Sequence, residues 1–274
     1  MKQALKSLVK RAGIERRHVE AARMFAERHA LASAPRRRAR EQGRILCYHS
    51  VGQPEFGVND VTPERFRRHI ELAKSLDRKS TRLNSSPAEI AATGGSRMDL
   101  AVSFDDALKS VLTEADPILR EHNIPYAVFA VSEWSDQGLD WQKEKVLSWD
   151  ELGAMIERGG VEVGSHSATH RNFGCIDEAR ARAEFEQSAA TMLSRLGYKP
   201  AVFAIPFGQS ANWNDVADKA ARETGFSTIY AQAEETRYPG TIARTFVTHF
   251  DDDRIFKALL AGAYDRWEEW TWMY

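Results

Sequence analysis

The chain has 274 residues, 43% of them hydrophobic and 28% charged, with a formal net charge of −1. This suits one large globular catalytic domain, such as a barrel of ~250 residues, with an appendage. It excludes a disordered chain, and with no run near ~20 apolar residues there is no expectation of a membrane span.

The charge is unevenly placed. Residues 1–42 hold 12 Lys and Arg against 4 Asp and Glu, which leaves 26 against 35 in residues 43–274. The basic part is read as a helical N-terminal extension, with a predicted helix from Gln3 to about Leu31 and the catalytic domain beginning at residue 43. Such a helix can lie on an anionic membrane surface, dock on a partner or pack on its own domain; no nucleic-acid partner is expected. Ala32-Ser-Ala resembles a leader cleavage site, but no apolar stretch of ~7–15 residues precedes it. The only cysteines, Cys47 and Cys175, are expected to be free thiols, and a cytoplasmic location follows as an expectation.

From Arg44 onward, strand and helix patterns alternate, which predicts an α/β fold. Arg44 to Tyr48 reads as a strand followed by a turn at His49. Thr62-Pro63-Glu64 opens a helix with an N-cap and a first-turn proline, and Phe66, Ile70 and Ala73 give it one apolar face. Residues 77–86, from Asp77 to Ser86, have almost no apolar content and no alternation, so they cannot form a buried strand. That decapeptide matches the in-frame translation of a widely used sequencing-library adapter. It is expected to be an assembly artefact standing in place of native sequence.

Ala101 to Phe104 is strand-like, and Ala107 is predicted to open a helix. Tyr126 to Val131 is the next strand. Ser148-Trp-Asp-Glu151 is a capping box for a helix that stops at Gly159-Gly160, and Val161 to Gly164 forms a short strand. A long helix from Asp177 to Leu196 ends at Gly197, and the strand Ala201 to Ile205 follows. The helices Asp215 to Thr224 and Asp253 to Ala261 flank a late strand containing Phe246-Val-Thr-His249.

Two carboxylates and two imidazoles carry the chemistry. Asp105 and Asp106 follow one strand, while His166 and His170 follow another. A zinc-like ion in a catalytic site takes three protein ligands and leaves a position open for water, whose pKa falls towards ~7. Asp106, His166 and His170 can supply that set, which leaves Asp105 as the natural base. Both carboxylates can reach one place only where the strand ends and the chain turns, and on a helical turn His166 and His170 would share a face. Taken singly, an Asp pair is as readily a helix cap and a lone His a surface residue. Two such halves, each after its own strand, are far more specific.

Ser103-Phe-Asp-Asp106, His166-Ser-Ala-Thr-His170 and Ala204-Ile-Pro-Phe-Gly208 resemble three ordered motifs of the polysaccharide deacetylase family, the NodB-homology carbohydrate esterases. The resemblance runs from about Arg44 to about Gly262. It implies a distorted (β/α) barrel of about seven strands, similar to a TIM barrel. It also implies Asp105 as base, Asp106, His166 and His170 as metal ligands, and removal of acetyl groups from N-acetylated sugars. The metal is expected to be Zn2+, with Co2+, Ni2+ or Mn2+ also compatible. Pro206, Phe207 and Gly208 would wall the substrate groove, and Tyr48, Trp134 and Trp141 are candidates for stacking on sugar faces.

Two departures stand out. Ala107 replaces a common glycine, a mild change provided the backbone there needs no positive φ. Phe203 is read at the place of an arginine that orients the base; Arg244 is weighed as its substitute, and an exposed structural arginine is the preferred reading. For the acid that protonates the leaving amine, His49 is preferred and His249 is the alternative. Other functional readings are a catalytically silent glycan-binding module and a hydrolase of non-sugar amides.

Overall fold

The computed structural model describes residues 16–33, 43–76, 86–94 and 99–268. The expected first turns of the N-terminal helix, and residues 77–85 of the adapter-like stretch, lie outside these. Ser86, the last residue of that stretch, caps the following helix in a reciprocal box with Glu89.

In chain order the elements are α1 (Arg16–Ser33), β1 (Arg44–Tyr48), β2 (Ser50–Val51), β3 (Asp60–Val61), α2 (Pro63–Leu76), α3 (Pro87–Thr93), β4 (Leu100–Phe104) and α4 (Asp116–Glu121). Then come β5 (Tyr126–Ala130), α5 (Ser132–Ser135), α6 (Asp140–Lys145), α7 (Trp149–Arg158), β6 (Val161–Ser165) and α8 (Glu178–Leu196). The chain continues through β7 (Val202–Ala204), α9 (Asp215–Thr224), β8 (Thr228–Tyr230), β9 (Thr245–Phe246) and α10 (Asp253–Leu260).

Seven strands form one parallel sheet in the order β8-β7-β6-β5-β4-β1-β9, curled into a half-barrel with helices outside, as a distorted (β/α) barrel requires. Side-chain alternation sorts the strands into two faces. Ile45, Ala101, Ala127, Phe129, Val202, Ala204 and Tyr230 fill the concave side, with Ile90 of α3 packed among them. Leu46, Tyr48, Val102, Phe104, Tyr126 and Val128 face the helices, where Phe66, Ile70 and Ala73 of α2 join them as their spacing predicted.

One segment nearly closes the barrel. Ile242 bridges Tyr230 on β8, with Ala231 N to Ile242 O at 2.9 Å, while Thr245 and Phe246 pair with Leu46 and Cys47 of β1. Residues 242–246 therefore touch both edges of the sheet, and Arg244 sits between the two attachments.

Helix α1 packs beside this segment. Arg28 is fully buried, holds both oxygens of Asp251 at 2.5 Å and donates to Phe246 O at 2.9 Å. The Tyr264 hydroxyl donates to Arg28 O at 2.5 Å, and its ring lies under the guanidinium, 4.5 Å from centroid to carbon. No helix among the described residues is long and apolar enough to cross a membrane.

Candidate active site

Asp105 continues the inward alternation of Ala101 and Ser103, and its backbone N–H is held by Tyr48 O at 3.0 Å. The chain then turns through two left-handed residues, Asp106 at φ 68° and Ala107 at φ 50°. This turn lets adjacent carboxylates face one cavity. Ala107 does need a positive φ, so the proviso on its mildness fails: the Cβ costs roughly 1–2 kcal/mol here, which glycine would not. Helical structure starts later than predicted, at Lys109.

His166 and His170 converge without a helical turn. Residues 166–170 form a loop with Ser167 at φ 71° and His170 at φ 60°, braced by His170 N–H to Ser167 Oγ at 2.8 Å. Buried Glu184 of α8 clamps the loop by accepting from Thr169 N at 2.8 Å and Thr169 Oγ1 at 2.6 Å. Such turns cannot be read from the spacing of the two histidines.

Asp106 Oδ1 lies 3.7 Å from His166 Nε2 and 3.6 Å from His170 Nε2, and one ligand atom from each of the three residues falls within 4.8 Å of the others. The Nδ1 of His166 pairs with Ala204 O at 2.8 Å, so it carries the proton and Nε2 turns its lone pair inward. Burial lowers the pKa of His166 to about 3, with Asp105 opposing, and that of His170 to about 4. Both imidazoles are thus neutral, the form that ligates metals. Burial raises Asp106 to about 6, against the pull of His49, and Oδ1 is buried without a hydrogen-bond donor. An orphaned carboxylate oxygen facing two neutral imidazole nitrogens fits a divalent cation.

Asp105 is set apart by Arg244, which is fully buried. Its Nη1 donates to Oδ1 at 2.6 Å and its Nη2 to Oδ2 at 2.8 Å, while Nε donates to Ala231 O at 3.1 Å. Burial alone would raise the Asp105 carboxyl, but the guanidinium outweighs it and, with His166, holds the group well below the usual carboxylate range. The expectation of an exposed, structural Arg244 is therefore wrong. Phe203 could not do this work, because it belongs to the outer aromatic cluster with Phe173, Phe185, Trp213 and Phe226. Its inward neighbour is Ala204.

Cys47, expected to be merely a buried thiol, touches the same carboxylate, donating to Asp105 Oδ2 at 3.4 Å. Burial pushes its pKa well up, so it remains a protonated donor. No sequence motif marks it; only the register of β1 against β4, with Cys47 opposite Ser103, brings it there.

The two candidate acids separate. His49 is half-buried, its ring is edge-on to Phe246 at 5.5 Å, and its charge would act on both aspartates. His249 is exposed and rests on Phe250, with a centroid distance of 4.6 Å. Tyr48, named as a sugar-stacking candidate, is a core residue instead. It is fully buried, its hydroxyl is 3.1 Å from His69 Nδ1, and its ring packs on Phe66 and Phe104. Strand alternation puts it on the helix side of the sheet, away from the cavity.

Trp134 and Phe207 do border the site. Trp134 stacks on His170 at 5.4 Å and Phe207 meets the same ring edge-on at 4.7 Å. Phe207 is held outward by φ 63°, between buried Pro206 and Gly208. Gly208 is obligatory on two counts: φ is 66°, and a Cβ there would lie 2.3 Å from Gln232 Cβ.

The sequence model described as polysaccharide deacetylase matches residues 91–229, half of the chain. The chain belongs to the polysaccharide deacetylase family. It is thereby a hydrolase of carbon–nitrogen bonds other than peptide bonds. Among proteins with curated descriptions, none matches this family member.

Solved structures share the fold. IcaB from Ammonifex degensii is 21% identical with a TM-score of 0.65, covering 82% of this chain and 98% of that one. The Streptococcus pyogenes deacetylase PplD, in complex with acetate, is 15% identical with a TM-score of 0.63, covering 77% and 94%. A de-N-acetylase from Aggregatibacter actinomycetemcomitans is 18% identical with a TM-score of 0.64, covering 80% and 100%.

Proposed function

We propose that this polysaccharide deacetylase is a metal-dependent hydrolase of the N-acetyl group of an N-acetylhexosamine-containing glycan or glycolipid precursor. The observation that carries the reading is the Asp106, His166 and His170 triad next to a separate carboxylate, Asp105, gripped by Arg244.

Asp106, His166 and His170 would hold the ion. A divalent ion of the zinc type supplies Lewis acidity at the acetyl carbonyl and acidifies a bound water. Asp105 is kept ionised by Arg244 and is placed to accept the proton of the attacking water. His49 is placed to return a proton to the departing amine. Its Nδ1 is buried with no hydrogen-bond partner among the described residues, and Phe246 restricts the ring. Water loses a proton to Asp105, the amide carbon–nitrogen bond breaks, and acetate and a protonated amine leave.

The acid assignment has its own test. His49→Asn is expected to lower kcat by about 10²–10⁴-fold at unchanged metal stoichiometry, whereas His249→Asn stays within about threefold, as for a surface substitution away from the site. A deep loss in His249→Asn alone would transfer the role.

The function is tested by acetate release from a panel of acetylated glycans, small amides and cyclic imides, using metal-stripped protein with and without added Zn2+, Co2+, Ni2+ or Mn2+. Release from an N-acetylated glycan, absent after stripping and restored by an ion, is the expected result. Glycan binding without turnover under any of these ions would establish a silent binding module. Turnover of small amides or imides alone would establish the non-sugar amidohydrolase.

A further inference from the structure

A run of aromatic rings leads away from the triad along one side of the cavity. Phe207 meets His170 at 4.7 Å, His170 stacks on Trp134 at 5.4 Å with 26° between planes, and Trp134 meets Trp141 edge-on at 5.5 Å. Trp141 is 38% exposed, Phe207 is 49% exposed, and Leu139, beside them in chain order, is 57% exposed. A protein that buries Phe104, Phe129, Phe203 and Tyr230 completely leaves these side chains open next to its ligand cluster. An acetamido group reacting at the triad would not extend as far as Trp141.

The surroundings select among occupants. Residues 132–145, which carry both tryptophans, hold four acidic side chains (Glu133, Asp136, Asp140, Glu144) and two basic ones (Lys143, Lys145). A net negative segment does not suit an anionic lipid surface. Flat rings set among exposed carboxylates and ammoniums suit a ligand with apolar C–H faces and a hydroxylated rim, which is a pyranose. Trp134 is fixed by His170 on one side and Trp141 on another, so the platform is pre-formed. Little ordering entropy is then lost on binding.

We propose that Trp141, with Trp134 behind it, forms a subsite for the sugar next to the one being deacetylated, so that the substrate is an oligomeric or polymeric glycan rather than a single sugar. This rests on the deacetylase reading above.

The test uses metal-loaded protein and β-linked N-acetylglucosamine oligomers of one to five units. In the wild type, kcat/KM rises with length. In Trp141→Ala the rise is flattened, with about a tenfold loss on the longest oligomer carried by KM and a clearly smaller loss on the shortest. Trp141→Phe restores most of the length dependence. Equal losses at every length, or no loss at any, would overturn the subsite while the deacetylase reading stands.

Tryptophan-fluorescence titration of metal-stripped protein with the same oligomers reads binding without turnover. Saturable quenching that is weakened in Trp141→Ala supports the subsite even if no acetate is released, which would count against the deacetylase reading alone. Absence of saturable quenching by the longest oligomer overturns the subsite.

Discussion

Arg244→Ala is expected to remove activity about as completely as Asp105→Asn, by roughly 10²–10⁴-fold, and to destabilise the fold as well. Arg244 and Asp105 form a two-pronged pair in which neither side chain sees solvent. Truncating the arginine strands a buried carboxylate, a change that costs about 3–5 kcal/mol. Asp105→Asn leaves the cation instead. Combining Arg244→Met with Asp105→Leu is expected to recover much of the stability and none of the activity. Denaturant unfolding beside acetate release separates the two effects.

The pH dependence has a defined sign. In the wild type, Arg244 holds the Asp105 pKa low, so the pair's stabilisation is complete above the ordinary aspartate value of ~3.9 and is lost as pH falls through the folded-state value. Without Arg244, burial governs and the carboxyl shifts up. The acid limb of kcat/KM in Arg244→Ala therefore moves to higher pH, as a pH–rate profile would show. Arg244→Lys keeps the charge but not the fork, and is expected to fall between. A wild-type acid limb in Arg244→Ala would sink the role assigned to Arg244.

The second large effect is on stability alone. Arg28→Ala leaves Asp251 fully buried without its ion-pair partner and frees Phe246 O, for an expected loss of about 3–5 kcal/mol. For a domain of this size, that lowers Tm by on the order of 10 °C. Arg28 touches no reacting group, so metal stoichiometry is expected to be unchanged below the lowered Tm. Calorimetry with metal analysis checks both. A shift of under ~2 °C would mean that the basic N-terminal helix contributes little to the fold, despite its packing against residues 246–264.

Much of this was legible in the chain. Capping boxes, glycine stops and apolar spacing placed α7, α8 and α9 within a residue or two of where they lie, because those signals act within one turn of backbone. The pairs Asp105–Asp106 and His166–His170 were visible because each follows a strand that ends at the same rim. The tight turns around them were not, since left-handed Asp106, Ala107, Ser167 and His170 are unusual for non-glycine residues and are imposed by the surrounding packing. The short helices α5 and α6, which carry the two tryptophans, were missed because four to six residues show no helical period.

What the amino-acid order determined by itself was local: strand and helix spans, the metal-ligand types and their family motifs. Which side chains meet was decided by the tertiary fold. The inward or outward phase of each strand, set by how the curled sheet pairs, put Phe203 and Tyr48 among the helices and Cys47 against Asp105. The closing segment brought Arg244 to Asp105 across 139 residues of chain, and α1 brought Arg28 to Asp251 across 223. Contacts at such separations depend on the register of the whole sheet, and no local periodicity in the chain encodes them.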